Sequence, residues 1–486
     1  MAAPLPVSAY AVVALVALLA RVVWRSVGVG FDVGPLFVYW QFLDPAQLHS
    51  RPFEALLNLH SQPPALNSLA AVGLALFGSH AAAFFGALYA ASGAAANVAS
   101  FHLVYVWSGS RSLASAVLLV GLASPDAVLF ENLFFTTHPV MVSLVLAAAC
   151  LERLLRTGKL RWFVLYGALL LAVSATRSMY GTPWIAACLA VPFFFLPFRR
   201  RTLVAGLVIL ASALVWPVKN GLLFGSWRSS SWMGMNFFNA VYNQSYTVAE
   251  LEAAFPGAPG RRVRPPGSSS PFGDVKPFAE AEVYAPFLDL RATGIPVLDA
   301  LRKSTGTTNY NWIGYIGVSN EYLREYERVL SRNPGLLATI LRSSLSSYVR
   351  PASDNLALVL TPVSASNVAA LRPALGLLRE DFAVRVPGGG RFLVRPACIL
   401  TGALVLFVLG GLPVLAFVDS RRRDAAAGLA LFVLWNTAYV TVVGNLFENL
   451  ENMRFRLEID PLLLIAAAAL VAAAWRTPTR AREGCP

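Results

Sequence analysis

Long apolar stretches recur from one end of this chain to the other, and short polar joints separate them. Ten of them read as helices able to cross a bilayer: Val7–Trp24, Ala81–Trp107, Ser112–Ala123, Val140–Leu151, Trp162–Ala175, Pro183–Pro197, Thr202–Leu223, Pro396–Phe417, Ala425–Val443 and Ile459–Trp475. A hydrocarbon core about 30 Å thick needs about 20 residues of helix, so the shorter stretches are expected to extend into their flanks. Ala65–Phe77 has the length of an interfacial or re-entrant helix rather than a span. The expected fold class is all-α and polytopic, with about ten transmembrane helices.

Basic residues set the expected orientation. The clusters Arg153/Arg156/Lys159/Arg161, Arg199–Arg201, Arg421–Arg423 and Arg476/Arg480/Arg482 sit at the ends of apolar stretches and belong on the cytoplasmic side. They alternate consistently if both termini are cytoplasmic, which places loops 26–80 and 124–139 outside. Arg21 and Arg25 then lie on the wrong side, which calls for snorkelling or a functional role. Between Gly225 and Arg395 the chain loses its membrane character: Phe255–Pro277 is rich in Pro, Gly, Ser and Arg, while Asn320–Leu330 and Pro334–Tyr348 have helical character. The expected division is a membrane module over 1–224, an external insert over 225–394, and C-terminal membrane helices with a cytoplasmic tail over 395–486.

Composition agrees with an integral protein of the plasma (inner) membrane. Of 486 residues 56% are hydrophobic and 13% charged, with mean hydropathy +0.59. The net charge of +13 does not point to nucleic acid, because the basic residues cluster where orientation signals belong. The four cysteines, Cys150, Cys188, Cys398 and Cys485, show no disulfide or metal spacing. Val7–Trp24 reads as a retained helix, since no Lys or Arg precedes it and no small-residue cleavage site follows. No Walker or dinucleotide fingerprint and no repeat period occur.

Chemistry concentrates just after the first helix. Phe31 to Asn67 holds Asp32, Asp44, Glu54, His49 and His60, followed by Ser61-Gln62-Pro63-Pro64. A carboxylate at the bilayer lip, such as Asp32, can be tuned to take a proton from an acceptor hydroxyl; it can equally be a solvated loop residue. Asp44 before Pro45 has the pattern of a helix cap. His60 is either the polar flank of a helix start or a ligand for phosphate or metal. A second polar node runs from Ser124-Pro125-Asp126 through Glu131-Asn132 to His138, where Glu131 stands among large apolar residues and so needs a partner. Three cationic sites also fall on the expected outer face: Arg177, Lys219 and the pair Arg454/Arg456. Arginine can grip phosphate oxygens bidentately and lysine as a point charge; their alternatives are lipid headgroups or Glu448, Glu451 and Glu458.

In their order along the chain these elements resemble the GT-C superfamily of polytopic glycosyltransferases, in the pattern of lipid A aminoarabinose transferases, protein mannosyltransferases and rhizobial galacturonosyltransferases. The residues that carry the resemblance are Phe31-Asp32-Val33, the aromatic run Phe37-Val38-Tyr39-Trp40, His60-Ser61-Gln62-Pro63-Pro64-Ala65-Leu66, Ser124-Pro125-Asp126, Trp216-Pro217-Val218-Lys219-Asn220 and Asn452-Met453-Arg454-Phe455-Arg456 ahead of Asp460-Pro461. The resemblance covers Tyr10 to Gly225 and Asn445 to Leu470. It implies a polyprenyl-phosphate-linked sugar as donor, a glycan, lipid or protein as acceptor, and membrane lipids as surroundings. It implies Asp32 as acceptor-activating base, supported by Glu131 or Asp126, and a donor phosphate held by Arg177, Lys219, Arg454, Arg456 and His60. The chain departs from the pattern in lacking a second acid beside Asp32, in the extra Gln62, and in the unmatched 225–395 segment; no metal site is assigned and a divalent metal stays open as cofactor. The competing readings are a flippase for lipid-linked saccharide, disfavoured by the scarcity of charge within the spans, and an outer-face glycan polymerase or ligase.

Overall fold

The computed structural model describes residue 2 and residues 4–197, 199–242, 292–385, 391–420, 425–448 and 451–483. The expectations for Phe255–Pro277 and for Arg421–Arg423 lie outside these residues. The chain is an all-α polytopic membrane protein, and among the described residues it has one two-stranded antiparallel hairpin, Phe382–Arg385 against Arg391–Val394. The helices used below are α1 (Val7–Ser26), α2 (Ala65–Phe77), α3 (Ala81–Ser108), α4 (Arg111–Ala123), α5 (Pro125–Glu131), α6 (Thr137–Thr157), α7 (Leu160–Thr176), α8 (Thr182–Phe195), α9 (Arg200–Phe224), α10 (Met233–Tyr242), α11 (Gly314–Arg332), α12 (Leu336–Tyr348), α13 (Pro362–Ala370), α14 (Pro396–Ser420), α15 (Ala425–Phe447) and α16 (Asn452–Glu483).

Among the described residues seven helical stretches are long and apolar enough to cross a membrane, or eight if α4 and α5, bent by 60°, form one span. The expected ten is reached only by adding α7 and α8, and at 17 and 14 residues these are short of a bilayer's thickness. Helix ends follow their local chemistry. Ser110 and Ser124 accept the amides of Leu113 and Ala127 as N-caps of α4 and α5. Asp44 caps Pro45–Ser50 through the Ala46 amide. Gly109, Gly158 and Gly225 close α3, α6 and α9 with φ of 71°, 60° and 68°, a conformation that costs only glycine little. Gly78, at φ 51°, breaks the 44-residue apolar stretch 65–108, and α2 folds back so that Gly73 lies under the Phe85 ring.

Three apolar clusters organise the packing. The largest joins α3, α6, α7, α8, α15 and α16 across the membrane part. A second gathers the first loop, α2, α5 and the residues after it. A third fastens α10 to α11 through Trp232, Tyr315 and Tyr322.

The 292–385 segment is bonded into the first loop as well as to the membrane helices, where Tyr348 meets Thr441 of α15 and Arg456 of α16. Asn311 is the main tie: its Oδ1 accepts the amides of His60 and Ser61 at 2.9 and 3.1 Å, and its Nδ2 donates to the Asn58 carbonyl at 3.0 Å. Lys303, buried, donates to the Tyr39 carbonyl at 2.8 Å, and burial pushes its ammonium down to about 8. Asn367 exchanges hydrogen bonds with the Gly30 backbone in both directions. At Gly34 the approach is so close that a Cβ would lie 2.6 Å from Thr361 Cγ2 and 2.8 Å from Asp32 Oδ1. Gly34→Ala is therefore expected to cost about 1–3 kcal/mol by overpacking and to lower the melting temperature. Gly376→Ala, where an added Cβ meets nothing within 4 Å, is the control; equal melting temperatures would remove the proposed squeeze.

Candidate functional site

The cavity that the described residues form on this side of the molecule measures about 290 Å³. It lies between the loop carrying Trp40 and Gln41, the start of α8's approach at Arg177–Met179, the segment Arg228–Phe237, and the joint between α15 and α16. Trp40 stacks on Trp232 with ring centres 5.3 Å apart, giving the cavity a broad aromatic wall. Its lining also holds three arginines, Arg177, Arg228 and Arg454, and two acids, Glu448 and Glu451.

Arg454 and Arg456 lie just ahead of the apolar stretch Ile459–Trp475. They stand in the first turns of α16, which begins at Asn452. The helix starts here because the Asn452 amide donates to the carbonyls of Gly444 and Glu448, both at 2.9 Å, and so satisfies the end of α15. Two positions apart on a helix, the arginines diverge. Arg454 turns into the cavity: Nη2 pairs with Glu451 at 2.5 Å and the guanidinium lies 4.8 Å from the Phe135 ring centre. The side chain is only 3% exposed, yet Nε and Nη1 find no hydrogen-bond acceptor among the described residues. Arg456 turns away. It donates to the carbonyls of Tyr348 and Arg350 at 2.8 and 2.7 Å and to Asp460 at 3.1 Å, and it does not line the cavity.

Arg177 reaches the cavity where α7 ends. Its guanidinium pairs with the buried Glu458, which also accepts the Tyr180 hydroxyl at 2.8 Å, and it stacks 3.9 Å from the Phe455 ring centre. Pairing with Glu451 and Glu458, one of the alternatives open in the sequence, is thus what Arg454 and Arg177 do.

The remaining expected site residues lie elsewhere. Lys219 donates to the carbonyls of Leu57 and Leu59 and sits 3.7 Å from the Trp216 ring centre, tying α9 to the first loop. His60 is fully buried, with Nδ1 2.7 Å from Ser231 Oγ and Nε2 2.9 Å from the Asn311 carbonyl. A carbonyl only accepts, so Nε2 carries the proton and Nδ1 accepts from Ser231. Neither nitrogen is left for phosphate or metal, and His60 serves as a joint between the first loop and residues 231 and 311. Burial holds its imidazole down to about 3. The sign follows directly: below pH 6.5 the unfolded segment takes up a proton that the folded one refuses, so stability falls with pH by about 1.4 kcal/mol per unit per proton. Melting temperatures from pH 7 to 4.5 are expected to fall more steeply in the parent than in His60→Gln; parallel slopes would show that His60 does not set this dependence.

Asp32 is buried and forms an isolated backbone bridge beside Leu133, donating to Asn132 at 2.8 Å and accepting from Phe134 at 2.9 Å. Its Oδ1 accepts the Gly34 amide at 2.8 Å, and its Oδ2 accepts the hydroxyls of Thr361 and Ser364. It does not line the cavity of Arg177 and Arg454. Asp126 accepts the amides of Ala352 and Ser353 at 2.7 and 3.1 Å, and Glu131 pairs with Arg21 at 2.6 Å. Both are therefore structural ties in this conformation. Asp44 accepts the Ser304 amide in addition to its capping bond, and among the described residues the Glu54 carboxylate meets only the exposed Arg51, at 3.6 Å.

Sequence reasoning missed Thr361 and Ser364, although Thr361-Pro362-Val363-Ser364 carries a helix-start pattern in which the Ser364 amide bonds the Thr361 hydroxyl. It also missed Trp232 and Arg228; the run Ser226-Trp227-Arg228 to Trp232 just beyond the Gly225 cap was the available signal. Among the described residues no three His, Cys, Asp or Glu side chains gather as a metal would need.

No family model matches this chain, and no curated protein does. Among solved structures it is similar to the archaeal oligosaccharyltransferase AglB from Archaeoglobus fulgidus in complex with an inhibitory peptide and a dolichol-phosphate, at 14% identity and a TM-score of 0.40, covering 98% of this chain and 52% of that one. It is also similar to ArnT from Cupriavidus metallidurans: 14% identity and TM-score 0.34 in the apo state, over 96% of this chain and 77% of that one, and 15% and 0.34 bound to undecaprenyl phosphate. The chain spans about half the length of the oligosaccharyltransferase.

Proposed function

We propose that this chain is a membrane glycosyltransferase that moves a sugar from a polyprenyl-phosphate carrier to a glycan, lipid or protein acceptor at the outer face, with both termini cytoplasmic. The observation that carries this reading is Arg454, a guanidinium closed off from solvent at the wall of a 290 Å³ cavity with two N–H donors uncommitted. A buried donor without an acceptor costs about 1–3 kcal/mol, and an anionic oxygen entering the cavity recovers it.

The reaction is an inverting single displacement. The acceptor oxygen bonds to the anomeric carbon as the bond from that carbon to the carrier phosphate oxygen breaks. The acceptor's proton passes to a carboxylate, and the leaving phosphate's new charge falls beside Arg454, with Arg177 next to it. The aromatic wall of Trp40 and Trp232 offers the sugar an apolar face. For the proton there are two candidates with different support. Asp32 is the residue that the motif order favours, and it would have to be uncovered by movement of the Thr361–Ser364 turn. Glu451 already lines the cavity.

Release of polyprenyl phosphate from a polyprenyl-phosphate sugar by purified protein, compared with Arg177→Ala, tests the reading. Transfer or hydrolysis that needs Arg177 supports it. Movement of the intact lipid-linked saccharide across liposomes without bond cleavage would replace it by the flippase.

A further inference from the structure

Arg21 and Arg25 remain unexplained by the proposed reaction. Both belong to α1, which contains no acidic residue, and they lie at the end of α1 where an outer-face lip is proposed. Together they line a notch of about 80 Å³ between α1, α3, α4 and α5, separate from the cavity of Arg454. On the scale at which one water needs about 10–15 Å³, this is room for a compact polar group and too little for a sugar ring with its substituents.

The notch is built, not left over. Gly93 of α3 stands against it, and any Cβ there would overlap the Glu131 carboxylate and the Arg21 guanidinium. The Trp24 indole is fixed by its bond to the Leu122 carbonyl at 3.2 Å, which holds one side of the opening. Arg21 is committed, to Glu131 at 2.6 Å and to the Ala17 carbonyl at 2.7 Å. Arg25 is not: it is exposed, and no carboxylate among the described residues comes within ion-pair distance of it. The Asn97 amide lines the same notch and makes no hydrogen bond to a described residue.

The charges decide the ligand's sign. Arg21 and Glu131 cancel, and Arg25 leaves the notch with one positive charge on a helix whose outward face is Val12, Leu15, Leu19, Val22 and Val23. The floor is apolar, formed by Val117, Leu118 and Leu464. An uncompensated cation beside hydrocarbon recruits an anion whose remaining surface is apolar. We propose that this notch binds the phosphate headgroup of an anionic phospholipid, with Arg25 on the phosphate oxygens, Asn97 donating beside it, and an acyl chain along α1.

The test is retention of lipid by the full chain in native mass spectrometry, titrated with palmitoyl-oleoyl phosphatidylglycerol or with phosphatidylcholine of the same chains. The parent is expected to keep phosphatidylglycerol preferentially. Arg25→Gln should lose about fivefold of that retention, the scale of one basic residue facing an anionic surface, and Arg25→Lys should keep most of it. Arg25 has no ion pair to lose, so the melting temperature is expected to stay within a few degrees in both variants, which separates lost binding from lost fold. Arg454→Ala, in the other cavity, should leave retention unchanged, so that this site and the proposed reaction stand or fall separately. Equal retention by the parent and Arg25→Gln, equal retention of the two lipids, or displacement by millimolar inorganic phosphate alone would each overturn the assignment.

Discussion

Arg454→Ala is expected to weaken binding of a polyprenyl phosphate by about one to two decades, while Arg456→Ala leaves affinity nearly intact and lowers stability instead. The contrast follows from where two neighbouring arginines point. Arg454 lines the cavity and its Nε and Nη1 lie buried with no acceptor among the described residues, so a phosphate that reaches them gains charge-assisted hydrogen bonds, each worth roughly 1.5–3 kcal/mol. Arg456 spends its donors on the Tyr348 and Arg350 carbonyls and on Asp460, and its removal strands a half-buried carboxylate and two carbonyls. Arg454→Lys should recover only part of the loss, because an ammonium cannot present the forked pair of N–H groups. Titration of the purified variants with polyprenyl phosphate, alongside their melting curves, reads both effects. Unchanged affinity in Arg454→Ala would leave Arg177 as the cation to pursue and would remove the main support for the proposed donor site.

The second large effect concerns the base. Asp32→Asn is expected to reduce turnover by about two to four decades if Asp32 takes the acceptor's proton. The substitution is suited to the question because the Thr361 and Ser364 hydroxyls, which donate to the carboxylate, can rotate and accept from an amide. Fold and donor binding should survive. Glu451→Gln is the matched experiment, since Glu451 lines the cavity and pairs with Arg454. Near-normal turnover in Asp32→Asn with collapse in Glu451→Gln would assign the proton to Glu451 and leave Asp32 as the clasp of the first loop. The reverse pattern would require the Thr361–Ser364 turn to open during the cycle.

The membrane helices were legible because burial in lipid imposes a long apolar run on each, and the run survives in sequence whatever it packs against. The cap at Asp44 was legible for a similar local reason. The cavity was not, because its wall is assembled from pieces far apart in the chain: Trp40, Arg177, Trp232 and Arg454 have no spacing that marks them as partners. His60 misled for the opposite reason. Its sequence setting, before Gln62-Pro63-Pro64, looks poised for a ligand, yet both ring nitrogens are taken by Ser231 and Asn311, at separations of 171 and 251 residues. A polar residue in a motif announces that something must satisfy it and does not say whether that is substrate or protein.

The same long separations bear on how the chain is made. Asp32 leaves the ribosome early, but the hydroxyls that satisfy it arrive 329 residues later. At roughly 5–20 residues per second, that is an interval on the order of 15–65 s. During it the first loop stands beside the membrane with its carboxylate in water and its partners not yet synthesised. A chain that stops before Thr361 would insert its early helices, which need only lipid, and still lack the groups that close the first loop. Such chains should be cut by proteases within Phe31–Asn67, and full-length chains should not, so quality control can read completion of the protein at a loop near its beginning.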